Sequence, residues 1–439
     1  MTGAALRIVP ATPAAALQLR AVSRRDAERA GRVAAGIIAD VRRRGIHGLD
    51  AWRRKLEAPA AGAVPLPLRV PPAELPRAWR RLAPALQAAL RQAHDHVRRM
   101  AEWQRPAEWR RQIAPGVRVG QVVRPLDSVG CYVPAGRHPL PSTLLMTAVP
   151  ARAAGVGRIA VACPAPADAV LGAAWLAGVT EVYRMGGAQA IAALAYGAGP
   201  VAAVDKIVGP GNRFVTAAKE LVRRDCEVDF LAGPTEVLWL ADAQAPAEFI
   251  AADLIAQAEH DPDAAAWAVV LSRRQAAAVV EAVTRQLAAA PNPTARRALR
   301  RRGAILVARD RRQALAAANA LAAEHVTLPA AWLPELQAGG SVFLGVYSPV
   351  AAGDYLTGPN HVLPTGGGAR RRGGLSVSDF LKVITVQELS RTGLRRLAPA
   401  IAVLARAEGL EAHARSIEAR LTRATARGIP RRRGPRRGQ

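Results

Sequence analysis

Eight histidines occur in the 439 residues, and four of them stand beside acidic or amide side chains in the C-terminal half. Glu324 and His325 are neighbours where a helical pattern, RRQALAAANALAAE, gives way to the apolar run HVTL. A titratable pair at such a boundary suits proton transfer, because imidazole changes charge near neutral pH and an adjacent carboxylate can hold or receive a proton. A plain polar turn is the competing explanation. Gln257 and His260 lie three apart at the end of a helical stretch that Asp261-Pro262 stops. Side chains so spaced share a helix face and can converge on one ion, although a helix-end histidine can equally serve the last carbonyls. Asp354, in AAGDYLTGPNH, precedes His361 in a Gly-containing loop and reads as a ligand or a helix cap. Glu408 and His413 complete the set. The chemistry these residue types share is acid–base work beside a metal held by histidine and carboxylate donors.

Two glycine motifs bear on phosphate binding. Gly155-Val-Gly157-Arg-Ile-Ala160 matches a dinucleotide fingerprint literally, but a helical stretch precedes it and a strand follows, the reverse of what the motif needs. Gly209-Pro-Gly211-Asn212 follows the apolar run KIV and opens the helical segment RFVTAAKELV, whose first amides could face a phosphate. An ordinary turn fits it as well.

Composition narrows the class. The net charge is +27, almost wholly from arginine, since Lys55, Lys206, Lys219 and Lys382 are the only lysines. Nucleic-acid binding would need a concentrated basic face with stacking aromatics, whereas the arginines are scattered and aromatics make up 4% of the chain. A solvated arginine-rich surface is the better reading. The dense run from Arg423 to Gln439, with seven arginines and no acid, reads as a disordered tail. Cys131, Cys163 and Cys226 are odd in number and never form C-x-x-C, which argues against disulfide or thiolate–zinc frameworks and for a reducing, cytoplasmic setting. No stretch reads as a signal peptide or a transmembrane span.

The elements that must position these residues follow from periodicity. Residues 24–44 and 72–112 are helical in pattern, joined by the Pro-rich AAGAVPLPLRVPP. From about Val122, the runs VGCYVPA, RIAVACPAP, EVYRM and DKIVG alternate with Ala-rich helical stretches. A second alternation has EVLWLAD, AWAVVLS and GAILVA as strands, with helices at 246–260, 274–289 and 311–324. Such alternation predicts βαβ units, mostly parallel sheets and two α/β domains. Beyond Val386 the pattern reads as helical only.

Taken together, the segments VRPLDSVGCYVPAG, GGAQAIAALAYG, VDKIVGPGN, DFLAGPTEV, DLIAQAEHDPD, GSVFLG, AGDYLTGPNHVLPT, GLSVSDFLK and TVQELS resemble the histidinol dehydrogenase family, from about Val119 to His413. The resemblance implies two successive oxidations by NAD, converting L-histidinol through L-histidinaldehyde to L-histidine at the end of histidine biosynthesis. It also implies one zinc ion per site and a homodimer with shared active sites. Carried onto this chain, the zinc ligands are Gln257, His260, Asp354 and His413, the last supplied by the partner subunit. These four also belong to the substrate site, with Thr235, His325, His361 and Glu408. Tyr132, Gln189 and Asn212 contact NAD. His325 is the base in both oxidations, and Glu324 activates water to hydrate the aldehyde. A thiol route through a cysteine is not required.

The implied fold is two incomplete Rossmann-like α/β domains with a C-terminal helical arm and a small N-terminal helical segment contributing to a dimer. On this reading 1–23 is an N-terminal segment, 24–131 with 236–385 a larger domain carrying the ligands and the pair, and 132–235 an inserted domain contacting NAD. Residues 386–420 form a dimerisation arm and 421–439 the tail. Thr235 stands where the family often has Ser. Arg371 and Arg372 replace an aromatic and a small residue, and His138 and the tail also depart from the family's pattern. Two other readings remain: a related zinc and NAD dehydrogenase for another small amino alcohol, and a basic binding protein without catalysis.

Overall fold

The computed structural model describes residues 6–20, 24–57, 66–135 and 139–422. His138 and all of the basic tail beyond residue 422 therefore lie outside the described residues. Among those described, no helix is long and apolar enough to cross a membrane.

The chain opens with β1 (Arg7–Pro10) and α1 (Pro13–Arg20), followed by α2 (Arg24–Arg44), α3 (Ile46–Leu56), α4 (Glu74–Arg81) and α5 (Pro84–Trp103). Strands β2 (Trp109–Ala114) and β3 (Val117–Pro125) form an antiparallel pair. Then β4 (Ser128–Tyr132), α6 (Pro141–Ala154), β5 (Arg158–Ala162), α7 (Asp168–Leu176), β6 (Glu181–Tyr183), α8 (Gly187–Tyr196), β7 (Lys206–Val208), α9 (Arg213–Val222) and β8 (Glu227–Val228) alternate without interruption. A second alternation runs through β9 (Glu236–Leu240), α10 (Ala247–Ala258), β10 (Ala265–Val270), α11 (Arg273–Ala289), α12 (Pro293–Arg302), β11 (Ala304–Val307), α13 (Arg311–Leu321), β12 (His325–Leu328) and β13 (Ser341–Leu344). The chain finishes with α14 (Val350–Tyr355), β14 (Leu381–Leu389), α15 (Arg391–Ala407) and α16 (Glu411–Thr422).

Both alternations close into parallel sheets, as their apolar strands require when helices cover both faces. The five-stranded sheet has the order β6-β5-β4-β7-β8, and the six-stranded sheet the order β1-β11-β10-β9-β12-β13. Leaving β1 aside, the two orders are the same: the first strand is central, the next two step to one side, and the last two step to the other. The reversal falls between β4 and β7 in one sheet and between β9 and β12 in the other. Beside these central strands the neighbouring crossovers leave on opposite sides, opening the crevice that doubly wound sheets use for ligands.

Local chemistry fixes where helices start. The side chains of Asn212, Ser272, Asn292 and Asp310 each accept a first-turn amide of α9, α11, α12 and α13. The buried Ala- and Leu-rich faces then pack on the sheets: α6 and α7 share a core with β4 and β5, while α10, α11 and α12 share one with β9 and β10. In the stretch 24–105, α2 packs against α8 and α9, and α4 against α7, so these helices cover the five-stranded sheet.

The chain divides into two compact units, residues 1–105 with 125–381, and residues 106–124 with 382–439. Both parallel sheets belong to the first. The second contains the sheet order β14-β3-β2 together with α15 and α16. Two sequence expectations need correction there. Residues beyond Val386 are not helical only, because Val386–Leu389 complete β14. The helical reading of 72–112 ends early, with α5 stopping at Trp103 and Trp109–Gln112 extended in β2. In β14 the apolar positions 383, 386 and 389 mimic helical spacing, but the β-branched run Val383-Ile384-Thr385-Val386 favours an extended chain.

Candidate active site

The pair Glu324–His325 sits at the amino end of β12, beside the amino end of β9. Helix α13 stops at Leu321, three residues short of the expected end. Ala322 turns the chain with φ 49°, the one left-handed non-glycine among the described residues. Such a conformation disfavours a Cβ-bearing residue and here reverses the chain into the strand. The next turn is equally constrained, for a Cβ on Gly340 would lie 2.5 Å from the carbonyl oxygen of Glu324. Gly340 and Ser341 donate their amides to Ala323 and Glu324, closing the turn around the pair.

Within that frame the Glu324 carboxylate is buried and engaged on one oxygen. Its Oε2 accepts from the Thr235 hydroxyl at 2.5 Å and from the Glu236 amide at 2.8 Å, and lies 3.6 Å from His325 Nδ1. Gln257 in turn donates its side-chain amide to Thr235. Burial pushes the Glu324 carboxyl above the ordinary carboxylate range, and the His325, Thr235 and Glu236 contacts pull the other way.

His325 is 3% exposed. Its Nδ1 is 3.1 Å from the Glu236 carbonyl, which can only accept, so Nδ1 carries the proton and Nε2 is left for chemistry. Nε2 is buried with no hydrogen-bond partner and stands 3.6 Å from Asp354 Oδ1. Burial works against the charged ring, but Glu324 and Asp354 outweigh it and raise the ring to about 9. Asp354, in α14, is shifted the opposite way: burial opposes its charge, and His325, His361 and His260 overcome that and hold it below the ordinary range.

His361 is held at both nitrogens, 2.8 Å from the Asp354 carbonyl and 3.3 Å from the Thr143 hydroxyl on α6. Burial pushes its affinity for a proton down, consistent with a neutral ring. Asn360 donates to the Met146 carbonyl of the same helix at 2.5 Å. The loop before β14 therefore links the sheet edge that carries the Glu324–His325 pair to a helix of the other sheet. Arg372 strengthens that link by stacking 4.6 Å over Phe230, donating to the Asp229 carbonyl and meeting Asp379 at 2.6 Å, whereas Arg371 is exposed.

Gln257 lies in the last turn of α10, and His260 is exposed just beyond it. Among the described residues no three His, Cys, Asp or Glu side chains gather at metal-binding distance. Helix α14, carrying Asp354, nevertheless packs on α10. Their donor types (one amide oxygen, one imidazole, one carboxylate under the field of three imidazoles) suit zinc as a partial set. Glu408 and His413 are exposed residues of the second unit, at the end of α15 and in α16.

The nucleotide-binding candidates gather at the carboxyl end of the other sheet. Tyr132 ends β4, and its hydroxyl accepts the Gly187 amide at 3.0 Å. Gln189 is buried in α8, donating to Glu57 at 2.7 Å and leaving its Oε1 without a partner. Asn212 caps α9 just after β7, and the turn leading to it crosses β4 so closely that a Cβ on Gly209 would lie 2.2 Å from the Tyr132 oxygen. Behind the turn, the ammonium of Lys219 is buried against the Asp229 carboxylate and donates to the Gly209 carbonyl at 3.0 Å. An unsatisfied amide oxygen, a tyrosine and a capped helix start at the reversal of strand order fit a dinucleotide. Burial pushes all three thiols up to about 12, which leaves no reactive thiolate.

Thr143 and Glu236 are not among the candidates that the sequence singles out, whereas Asn360 stands beside His361 there. For Glu236 a signal existed: an acid opens the otherwise apolar strand EVLWL, all of it buried.

Two parallel sheets of one topology, one with a nucleotide-type crevice and the other with a buried carboxylate–imidazole pair, define an α/β enzyme of acid–base chemistry. The chain belongs to the histidinol dehydrogenase family, whose profile matches residues 20–421. It is 46% identical over 397 residues to histidinol dehydrogenase of Methanothermobacter thermautotrophicus, covering 88% of this chain and 93% of that one. With the Thermus thermophilus enzyme of that name it shares 47% over 394 residues, with the same coverages. The crystal structure of histidinol dehydrogenase from Elizabethkingia anophelis superposes with a TM-score of 0.89 at 30% identity, covering 97% of this chain and 100% of that chain.

Proposed function

We propose that this chain oxidises L-histidinol to L-histidine in two NAD-dependent steps, with His325 as the base in both and Glu324 activating water for the second. The observation that carries the proposal is the buried pair itself: Nε2 of His325 is unpartnered beside a carboxylate held by a hydroxyl and an amide. In the first step Nε2 takes the hydroxyl proton as the carbinol carbon gives up hydride. In the second, Glu324 draws a proton from water as the water oxygen bonds to the aldehyde carbon, the former carbonyl oxygen takes up the proton His325 gained in the first step, and the resulting gem-diol gives a proton back to His325 and hydride from the same carbon. NAD, held by Tyr132, Gln189 and Asn212, would supply the hydride acceptor. Zinc, held by Gln257, His260, Asp354 and His413, would grip the substrate's imidazole and amine and, by engaging the Asp354 charge, would relieve the rise in His325's proton affinity. Thr235, His361 and Glu408 complete the substrate contacts, and the active form is a homodimer in which His413 comes from the partner.

Steady-state NADH formation with L-histidinol against other amino alcohols tests the substrate, and preference for another amino alcohol would redirect the assignment. Mixing Glu324→Ala and His413→Asn, each expected to form no histidine from histidinol, tests sharing, with histidine formation as the readout. Recovery of activity is expected, and its absence in mixed dimers would contradict a ligand supplied across subunits.

A further inference from the structure

Glu236 stands under the pair, and no step above uses its side chain. Its main chain does two things: the amide donates to Glu324 Oε2 at 2.8 Å, and the carbonyl faces His325 Nδ1 at 3.1 Å. The carboxyl is 1% exposed, accepts the Gly366 amide on Oε1 at 3.0 Å, and leaves Oε2 without a partner. Three residues before Glu236, the Gly233 amide donates to the Thr365 hydroxyl at 2.5 Å, so residues 365 and 366 are strapped to the chain at the amino end of β9. An amide side chain could accept the Gly366 hydrogen bond equally well. What a carboxyl adds at that place is a proton that can stay or leave.

The ionisable groups facing Glu236 are few. Glu324 and His325 open β12, and Arg302 comes from the end of α12. Arg302 donates through Nη1 to the Asp263 carbonyl at 3.1 Å, makes no ion pair with Glu236, and acts on it only by its charge, which favours the ionised carboxyl less than burial opposes it. Two carboxylates in one unsolvated pocket resist being charged together, so the pair keeps a proton near neutrality. Glu324 has the Thr235 hydroxyl, the Glu236 amide and the adjacent His325 ring to stabilise a charge, whereas Glu236 has backbone amides, that of Gly366 at 3.0 Å and that of Glu324, and the charge of Arg302 beyond ion-pair reach. The proton therefore rests on Glu236.

We infer that Glu236 is a positioning residue of the catalytic pair: its main chain fixes Glu324 and His325, and its neutral, protonated carboxyl leaves Glu324 as the charged member of the two acids. Burial first, and the Glu324 charge second, raise the Glu236 carboxyl to about 7, in keeping with that assignment. The inference rests on the water-activating role given to Glu324 above.

The linkage sign provides a test apart from turnover. A carboxyl with raised affinity in the fold contributes stability that is full below its unfolded value and is lost as pH climbs through about 7. Glu236→Gln mimics the protonated form permanently. Unfolding monitored at pH 5 and pH 8 should show its advantage over the native protein growing by about tenfold or more in the unfolding equilibrium constant. Aldehyde oxidation by Glu236→Gln at pH 7 should stay within about threefold of native, since general-base catalysis by Glu324 is preserved. Glu236→Ala, which also frees residue 366, should lower kcat for that step about tenfold with little change in KM. Should Glu236→Ala fail to fold, the glutamine variant carries the test. Parallel stability curves, or a folded Glu236→Gln that has lost aldehyde oxidation, would overturn the inference. Glu324→Gln in the same assay separates the two ideas: if it oxidises the aldehyde normally, the role of Glu324 fails, whatever Glu236 does.

Discussion

The two parallel sheets share one strand order yet carry their candidate site residues at opposite ends. In the five-stranded sheet, Tyr132 and Asn212 lie at the carboxyl ends of β4 and β7, where crevices of doubly wound sheets accept nucleotides. In the six-stranded sheet, Thr235, Glu236, Glu324 and His325 lie at the amino ends of β9 and β12. Its carboxyl ends carry polar residues too, but these serve turns: Asp242 accepts the Gln244 amide, Ser272 the Gln275 amide and Asp310 the Gln313 amide. Strand order opens a crevice at the carboxyl ends of each reversal, yet the buried carboxylate–imidazole pair of the six-stranded sheet lies at its amino ends, so residue chemistry and not topology alone sets where a candidate site forms. At the amino end of β9, a free strand amide can hold a carboxylate, which is what Glu236 does for Glu324.

This contrast can be broken from either side. The largest effect is expected at the amino ends: His325→Asn should lower kcat for both oxidations by about 10²–10⁴-fold, the usual worth of a positioned base, while NAD binding by calorimetry stays unchanged. Next comes the buried pair behind the carboxyl-end turn. Lys219→Met strands the Asp229 charge and should cost about 3–5 kcal/mol, read as a lower urea midpoint together with weaker NAD binding. Smallest is the cap itself. Asn212→Ala should cost about 1 kcal/mol of stability and raise KM for NAD without moving KM for histidinol. If the Asn212 and Lys219 variants instead altered histidinol affinity selectively, the division of labour between the sheets would be lost.

Much of this was legible in the sequence because burial and periodicity coincide. The runs VGCYVPA, RIAVACPAP and EVLWLAD are β4, β5 and β9, and a single-strand alphabet of Val, Ile and Ala sufficed to expect parallel sheets. The Glu324–His325 boundary was legible too, since a helical pattern ended there. Its geometry was not, because it depends on Ala322 adopting a conformation that alanine disfavours and on Gly340 passing against Glu324. Glu236 escaped notice for a different reason: its role runs through its backbone and through loop residues 130 positions away. Trp109–Gln112 and the end of β14 beyond Val386 read as helical because the faces of β2 and β14 are mostly exposed, so no alternation of buried and solvated positions marks them as strands.

In the proposed reaction two neighbouring side chains divide the work, His325 serving both oxidations and Glu324 only the hydration that precedes the second. The most direct measurement supplies Glu324→Gln separately with L-histidinol and with L-histidinaldehyde, each with NAD, and follows NADH over a single turnover. Alcohol oxidation is expected to persist within about tenfold while aldehyde oxidation falls by about 10²-fold or more. Equal loss of both steps, or an aldehyde step that survives intact, would contradict that division of work.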